Sequence, residues 1–155
     1  MKYWLMKTEP SQFSFDDLMK APKKTTGWSE VRNYQARNLM RDEMKVGDLA
    51  FFYHSSAEPT GIAGIMEIVS GAYTDPTQFD KKNEMGYDPK SKPEAPSWIQ
   101  VDVKAVKPLP KFMELSEIRK LKGLSKMVLL QKGSRLSVQP VTKAEWDIIC
   151  KAAGL

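Results

Sequence analysis

Trp28-Ser29-Glu30-Val31-Arg32-Asn33-Tyr34-Gln35-Ala36-Arg37-Asn38 places one Trp, one Tyr, two Arg and two Asn within eleven residues. A packed core has little use for that mixture. A planar, hydrogen-bonding ligand such as a nucleobase does: an aromatic ring covers its face, amides read its edge and guanidinium groups hold a phosphate. The plain structural account makes Asn33 the N-cap of a helix opened by Tyr34, Ala36 and Arg37. Capping occupies one side-chain oxygen and leaves Trp28, Ser29 and Arg32 without a task.

Three other groups carry polar chemistry at the ends of apolar stretches. Lys7-Thr8-Glu9-Pro10 follows the aromatic run Tyr3–Lys7, where a salt-bridged rim is the alternative account. Tyr53, His54, Ser55 and Ser56 close the run Leu49–His54. His54 is read as structural in the first place, and otherwise as a hydrogen-bonding group at a pocket mouth. Arg135, Ser137 and Gln139 alternate with Leu136 and Val138, which gives one apolar strand face and one face able to read an edge or merely to be solvated. Trp98 follows a Pro-rich stretch and suits a core or a pocket equally. Trp4 and Trp146 lie in strand and helix patterns that assign them to the core, whereas Trp28, in a polar loop after Gly27, is assigned to a pocket.

Enzyme signatures are missing where they are testable: the chain has no GxSxG elbow, no Walker loop and no GxGxxG. Cys150 sits on an apolar helix face as a core thiol. With one Cys and one His, no zinc constellation is expected, and no cofactor or metal.

The elements that would position these groups follow from pattern. Tyr3–Lys7 reads as a buried strand. Ser14 to Asp17 opens a short helix through a capping box, and a second helix runs from Tyr34 to Met44. Leu49–His54 has the profile of a central strand. Ile62–Tyr73 reads as one long strand with Gly64 and Gly71 marking bulges or close approaches. Thr74–Ser97 is a long polar loop of the functional or disordered kind. Trp98–Val106 is a half-exposed strand, Leu115–Leu121 and Ser125–Leu130 are short helices, and Arg135–Val141 is a short strand. Thr142 to Glu145 is a capping box that opens the last helix. With no βαβ alternation, the order predicts an α+β domain on a mostly antiparallel, barrel-like sheet.

The 155 residues fit one domain, 1–155, and 41% apolar content is that of a globular chain. No apolar run approaches the ~20 residues that span a bilayer. Four apolar residues between Lys2 and Lys7 are too few for a signal peptide, and a single cysteine suits a reducing compartment, so a cytoplasmic location is expected. The net charge of +5 is uneven. Residues 1–100 carry 13 basic and 14 acidic side chains, a net of −1, and residues 101–155 carry 11 and 5, a net of +6. That basic half predicts a polyanion track, with Lys104, Lys107, Lys111, Arg119, Lys120, Lys122, Lys126 and Lys132 as phosphate contacts.

Seven ordered segments, Tyr3–Pro10, Val31–Asn38, Phe52–Ser55, Gly61–Gly64, Asp75–Asp80, Tyr87–Ser91 and Arg135–Pro140, resemble the EVE domain family over nearly the whole chain. Thr8 stands where that family commonly has Ser. The resemblance implies a PUA-like fold, a curved barrel-like sheet with surrounding helices. It also implies kinship with YTH domains, which hold a methylated adenine in an aromatic cage. The pocket it implies is built from Lys7, Thr8, Glu9 and Pro10; from Trp28, Ser29, Val31, Arg32 and Asn33; from Tyr53, His54, Ser55 and Ser56; and from Arg135, Leu136, Ser137 and Gln139.

Together these readings predict a non-enzymatic module that recognises a modified nucleobase in RNA or DNA, with RNA the preferred partner, or a free modified nucleoside. No membrane partner is expected. The alternative is a small hydrolase acting on a modified nucleoside, which would need Lys7, Glu9 and His54 to converge.

Overall fold

The structure, a computed structural model, describes residues 1–133 and 135–155. Its elements run β1 (Tyr3–Thr8), α1 (Phe15–Lys20), β2 (Thr25–Gly27), α2 (Tyr34–Asn38), β3 (Leu49–His54), β4 (Gly61–Ile68), β5 (Tyr73–Thr74), β6 (Ile99–Gln100), β7 (Asp102–Glu114), α3 (Leu115–Ile118), β8 (Val138–Val141) and α4 (Lys143–Ala152). Six strands form one sheet in the order β2-β7-β4-β3-β1-β8, and β5 pairs with β6 separately. In the large sheet the β1–β3 pairing is parallel and the others are antiparallel. The result is a mixed, curled half-barrel with helices around it, an α+β fold.

Both faces of the central strands are buried, which is why β1 and β3 read as unbroken apolar runs. Trp4, Met6, Ala50 and Phe52 enter one core with α1, α2 and Val101. Leu5, Phe51 and Tyr53 enter a second core with α3 and α4, where Trp146 stacks on Phe51 at 3.9 Å and 15°. In the first core the Phe15 ring lies against Gly64, where any Cβ would come within 2.4 Å of it. The helix starts are chemically encoded. Ser14 Oγ accepts from Asp17 N–H at 3.1 Å, Thr142 Oγ1 accepts from Glu145 N–H at 3.1 Å, and both boxes are closed by the reciprocal carboxylate.

Several boundaries differ from the sequence expectations. The strand expected over Ile62–Tyr73 ends at Ile68, and Gly71 lies in open space beyond it. Gly64 does mark a register irregularity with β7. β7 runs to Glu114, well past Val106, despite Pro108 and Pro110. Its outer edge is paired with β2 only from Asp102 to Lys104, so prolines further along interrupt no β2 ladder. The second helix keeps its expected length to within a residue, but only Tyr34–Asn38 is α-helical; Leu39–Glu43 winds more widely as a π-helix, closed by Met44 N–H to Leu39 O at 2.9 Å. The helix expected over Leu115–Leu121 is the short α3, Ser125–Leu130 holds one tight turn at Val128–Leu130, and Arg135–Ser137 precede β8.

Candidate functional site

The topology brings three separate chain segments to one end of the sheet. Because β1 and β3 are parallel, their C-terminal ends, Thr8 and His54, are register partners. Because β8 is antiparallel to β1, its entering segment arrives at the same end. The main chain stitches them together: Lys7 N–H donates to Ser137 O at 2.8 Å, and Ser55 N–H to Thr8 O at 2.9 Å. The segment leaving β2 closes the opposite side, anchored by Trp28 N–H to Val101 O at 2.8 Å.

Between them lies a cavity of about 470 Å³, within the ~300–1,000 Å³ usual for small-molecule sites. Lys7, Thr8 and Glu9 line it from β1, Ser55 from β3, and Arg135 and Ser137 from the approach to β8. Trp28, Ser29 and Val31 line it from the loop after β2. These residues offer the Trp28 ring, the hydroxyls of Thr8, Ser29, Ser55 and Ser137, the Glu9 carboxylate, an amine and a guanidinium. Burial with no compensating ion pair among the described residues pushes the Lys7 ammonium below its ordinary pKa.

Trp28 corrects one expectation. It is a cavity wall, but it is also core: it is 6% exposed and meets the Phe52 ring edge-on at 5.3 Å and 84°. The polar loop that holds it folds inward, so the residue belongs to both the core and the cavity lining.

Other expected site residues have different work. Arg32 Nη1 donates to Asp75 Oδ2 at 3.0 Å, Nη2 to Thr77 Oγ1 at 2.9 Å, and Nε and Nη2 to Gly86 O at 2.9 and 2.6 Å. It pins the Thr74–Ser97 loop and is not available to a ligand phosphate. Asn33 is exposed and caps α2, its Oδ1 accepting from Ala36 N–H at 2.9 Å. Trp98 is buried beneath Tyr34, stacked at 4.7 Å, with its Nε1–H on Asp88 Oδ2 at 2.7 Å. His54 Nε2 accepts from Phe15 N–H at 3.1 Å, which requires an unprotonated nitrogen, and burial pushes its pKa down accordingly, partly opposed by Asp16. The trio required for hydrolysis is thus not assembled: Lys7 and Glu9 share the cavity and His54 does not. Gln139 is buried, its Nε2 donating to Leu136 O at 2.8 Å, and Leu136 packs against the first core. Pro10 and exposed Ser56 lie outside the cavity lining.

The sequence reading missed Glu30, Gln12, Phe13, Thr26, Gly27 and Met85, all of which line the cavity. Gly27 had a signal, a glycine just before an isolated Trp, and a Cβ there would meet Gln100 Nε2 at 2.2 Å. Met85 had none. It is delivered by the long loop, which is an ordered structure built on buried Asp75 and Gln78, with Gln78 Nε2 donating to Asp75 O and Trp98 O.

Lys7 also lines a second cavity of about 530 Å³ with Tyr53, Arg119 and Lys132. Of the other expected phosphate contacts, Lys111 is tied to Glu117 at 2.6 Å, and Lys107 lines a separate cleft beside Trp146. Lys104 sits within the β2–β7–β4 ladder, and Lys120, Lys122 and Lys126 are exposed.

The EVE domain model matches residues 2–152. Thymocyte nuclear protein 1 of Homo sapiens is 46% identical over 164 residues, covering 95% of this chain and 72% of the relative. Its counterpart in Danio rerio is 47% identical, covering 94% and 69%. The crystal structure of human THYN1 protein in complex with 5-methylcytosine containing DNA matches with a TM-score of 0.92 at 44% identity, covering 100% of this chain and 99% of that one. The long match to the family model, the identity to these relatives and the common PUA-like α+β fold agree: the chain belongs to the EVE domain family.

Proposed function

We propose that this chain is a binding module that holds a modified nucleobase, flipped from its stack or taken from a single strand, in the cavity between Trp28 and the β1, β3 and β8 ends. The observation that carries this is the cavity itself: aromatic walls from Trp28 and Phe13, hydroxyls from Thr8, Ser29, Ser55 and Ser137, and cations from Lys7 and Arg135. A base needs a π surface on its face and hydrogen-bonding groups at its edge. The solved relative that holds 5-methylcytosine containing DNA supports the same reading and makes modified DNA the first partner to test, with RNA second. The catalytic alternative is not favoured, since His54 is turned away to Phe15.

The phosphates flanking the base run over Lys7, Arg119, Lys132 and Arg135, the cations nearest the two cavities. Four contacts to a single strand correspond to a slope of log K against log salt of about −3. Stacking contributes roughly 1–3 kcal/mol per base, and a buried methyl about 0.8 kcal/mol, or fourfold. A reducing compartment, cytoplasm or nucleus, is proposed on the lone cysteine; among the described residues no helix is long and apolar enough to cross a membrane.

The test is a binding panel of matched DNA and RNA oligonucleotides with cytosine or adenine, methylated or not, at several salt concentrations. The expected result is tighter binding of a methylated member with a steep salt slope. Equal affinities across the panel, or a slope near zero, would overturn the proposal.

A further inference from the structure

Glu30 is the cavity's least comfortable residue. It is not a glycine, yet its φ is 68°, in the left-handed region that costs most side chains about 1 kcal/mol or more. It is held there by a dedicated anchor. Glu30 N–H donates to Asp75 Oδ2 at 2.8 Å, and the same oxygen accepts from Arg32 Nη1 at 3.0 Å. Asp75 is fully buried. Glu30, so held, is part of the cavity lining. Its Oε2 is shut off from solvent with no hydrogen-bond partner among the described residues. A carboxylate oxygen left so is among the costlier defects of a folded chain. Glu9, the other carboxylate of the lining, has no oxygen stranded in this way.

We infer that Glu30 reads the edge of the bound base and selects one that presents an amino group over one that presents a carbonyl at the same position; this rests on the base-binding function proposed above. An ionised carboxylate only accepts hydrogen bonds. Its complement is an exocyclic N–H, as on cytosine N4 or adenine N6, and a carbonyl oxygen in that place would be repelled. Among the cavity's other polar groups, the Lys7 ammonium, the Arg135 guanidinium and the hydroxyls can donate, and they suit the ring nitrogen and carbonyl that complete such an edge. Trp28, two residues before Glu30, supplies the face.

The experiment compares three oligonucleotides identical except for one central base: 5-methylcytosine, cytosine or thymine. The first and last share the methyl group and differ at the amino or oxo position. The protein should prefer 5-methylcytosine to thymine by roughly tenfold or more, the discrimination of one good base-edge pair. Glu30→Gln, which introduces a donor and removes the charge, should bring that ratio close to one while leaving the ratio of 5-methylcytosine to cytosine unchanged. Glu30→Gly relieves the backbone strain, so it should fold at least as well and show the same loss. Failure of the unaltered protein to bind any of the three would overturn the base-binding function. Variants that keep the amino-to-oxo ratio of the unaltered protein, or whose binding weakens equally for all three bases, would overturn the role of Glu30 alone.

Discussion

Trp28→Ala is the perturbation that best tests how core and cavity are joined. Trp28 is 6% exposed, packs edge-on against Phe52 and hangs its main chain on Val101 O. Truncating a core Trp costs about 3–5 kcal/mol, and the aromatic pair contributes part of that beyond simple burial, about 0.5–1.5 kcal/mol. Each kcal/mol shifts Tm by about 2–4 °C in a domain of this size, so Tm should fall by about 10 °C. Trp146→Ala is the matched control. Its ring stacks on Phe51 in the second core and lines no part of the cavity, so its thermal loss should be similar. The assay pairs thermal melts with oligonucleotide binding measured well below both melting points. Both variants should be destabilised alike, and only Trp28→Ala should lose base binding. A Trp28→Ala protein that melts within a degree or two of the original would mean the ring is not core. One that binds normally while folded would mean it is not a wall.

Two further predictions follow from charge burial. Lys7→Met should raise Tm at pH 7 and weaken oligonucleotide binding, since burial disfavours the Lys7 ammonium while the cavity offers it to an anion. The folded-state pKa lies below 10.5, so the penalty is full at neutral pH and is relieved as pH rises through that pKa. The Tm gap between the two proteins should therefore narrow toward pH 10, and a Lys7→Met variant that melts lower at pH 7 would refute this account. His54 has a depressed pKa from burial, so its contribution is complete above the ordinary value of 6.5 and is lost as pH falls below it. His54→Gln, whose amide oxygen can still accept from Phe15 N–H, should flatten the decline in Tm between pH 7 and pH 5; parallel profiles would show that His54 does not carry it.

What the sequence made legible was local or periodic. Ser14–Asp17 and Thr142–Glu145 satisfy their own helix ends within four residues, so both starts could be read directly. Leu49–His54 announced a strand buried on both faces, and Lys7–Glu9, Ser55 and Ser137 announced polar groups at strand ends that the parallel β1–β3 pairing then joined. What stayed hidden was set by distant partners. The run of β7 through Pro108 and Pro110 depends on where β2 stops pairing. The left-handed backbone of Glu30 depends on Asp75, 45 residues away.

The segment Trp28–Asn38 shows why residue type alone divides such tasks poorly. Its aromatic, guanidinium and amide groups all look fit for one ligand, yet they serve three structures. Trp28 to Val31 line the cavity, Arg32 closes the Asp75 loop, and Asn33 caps α2. These uses depend on one another. Arg32 and Glu30 share Asp75 Oδ2, so the residue that looks most like a phosphate ligand instead helps hold the carboxylate that fixes the Glu30 backbone. A side chain's type gives its capacity to hydrogen-bond; whether that capacity is already taken by the fold is settled by partners the local sequence does not contain. Glu30, a residue of the cavity lining with one carboxylate oxygen still untaken, is where that distinction points to a ligand.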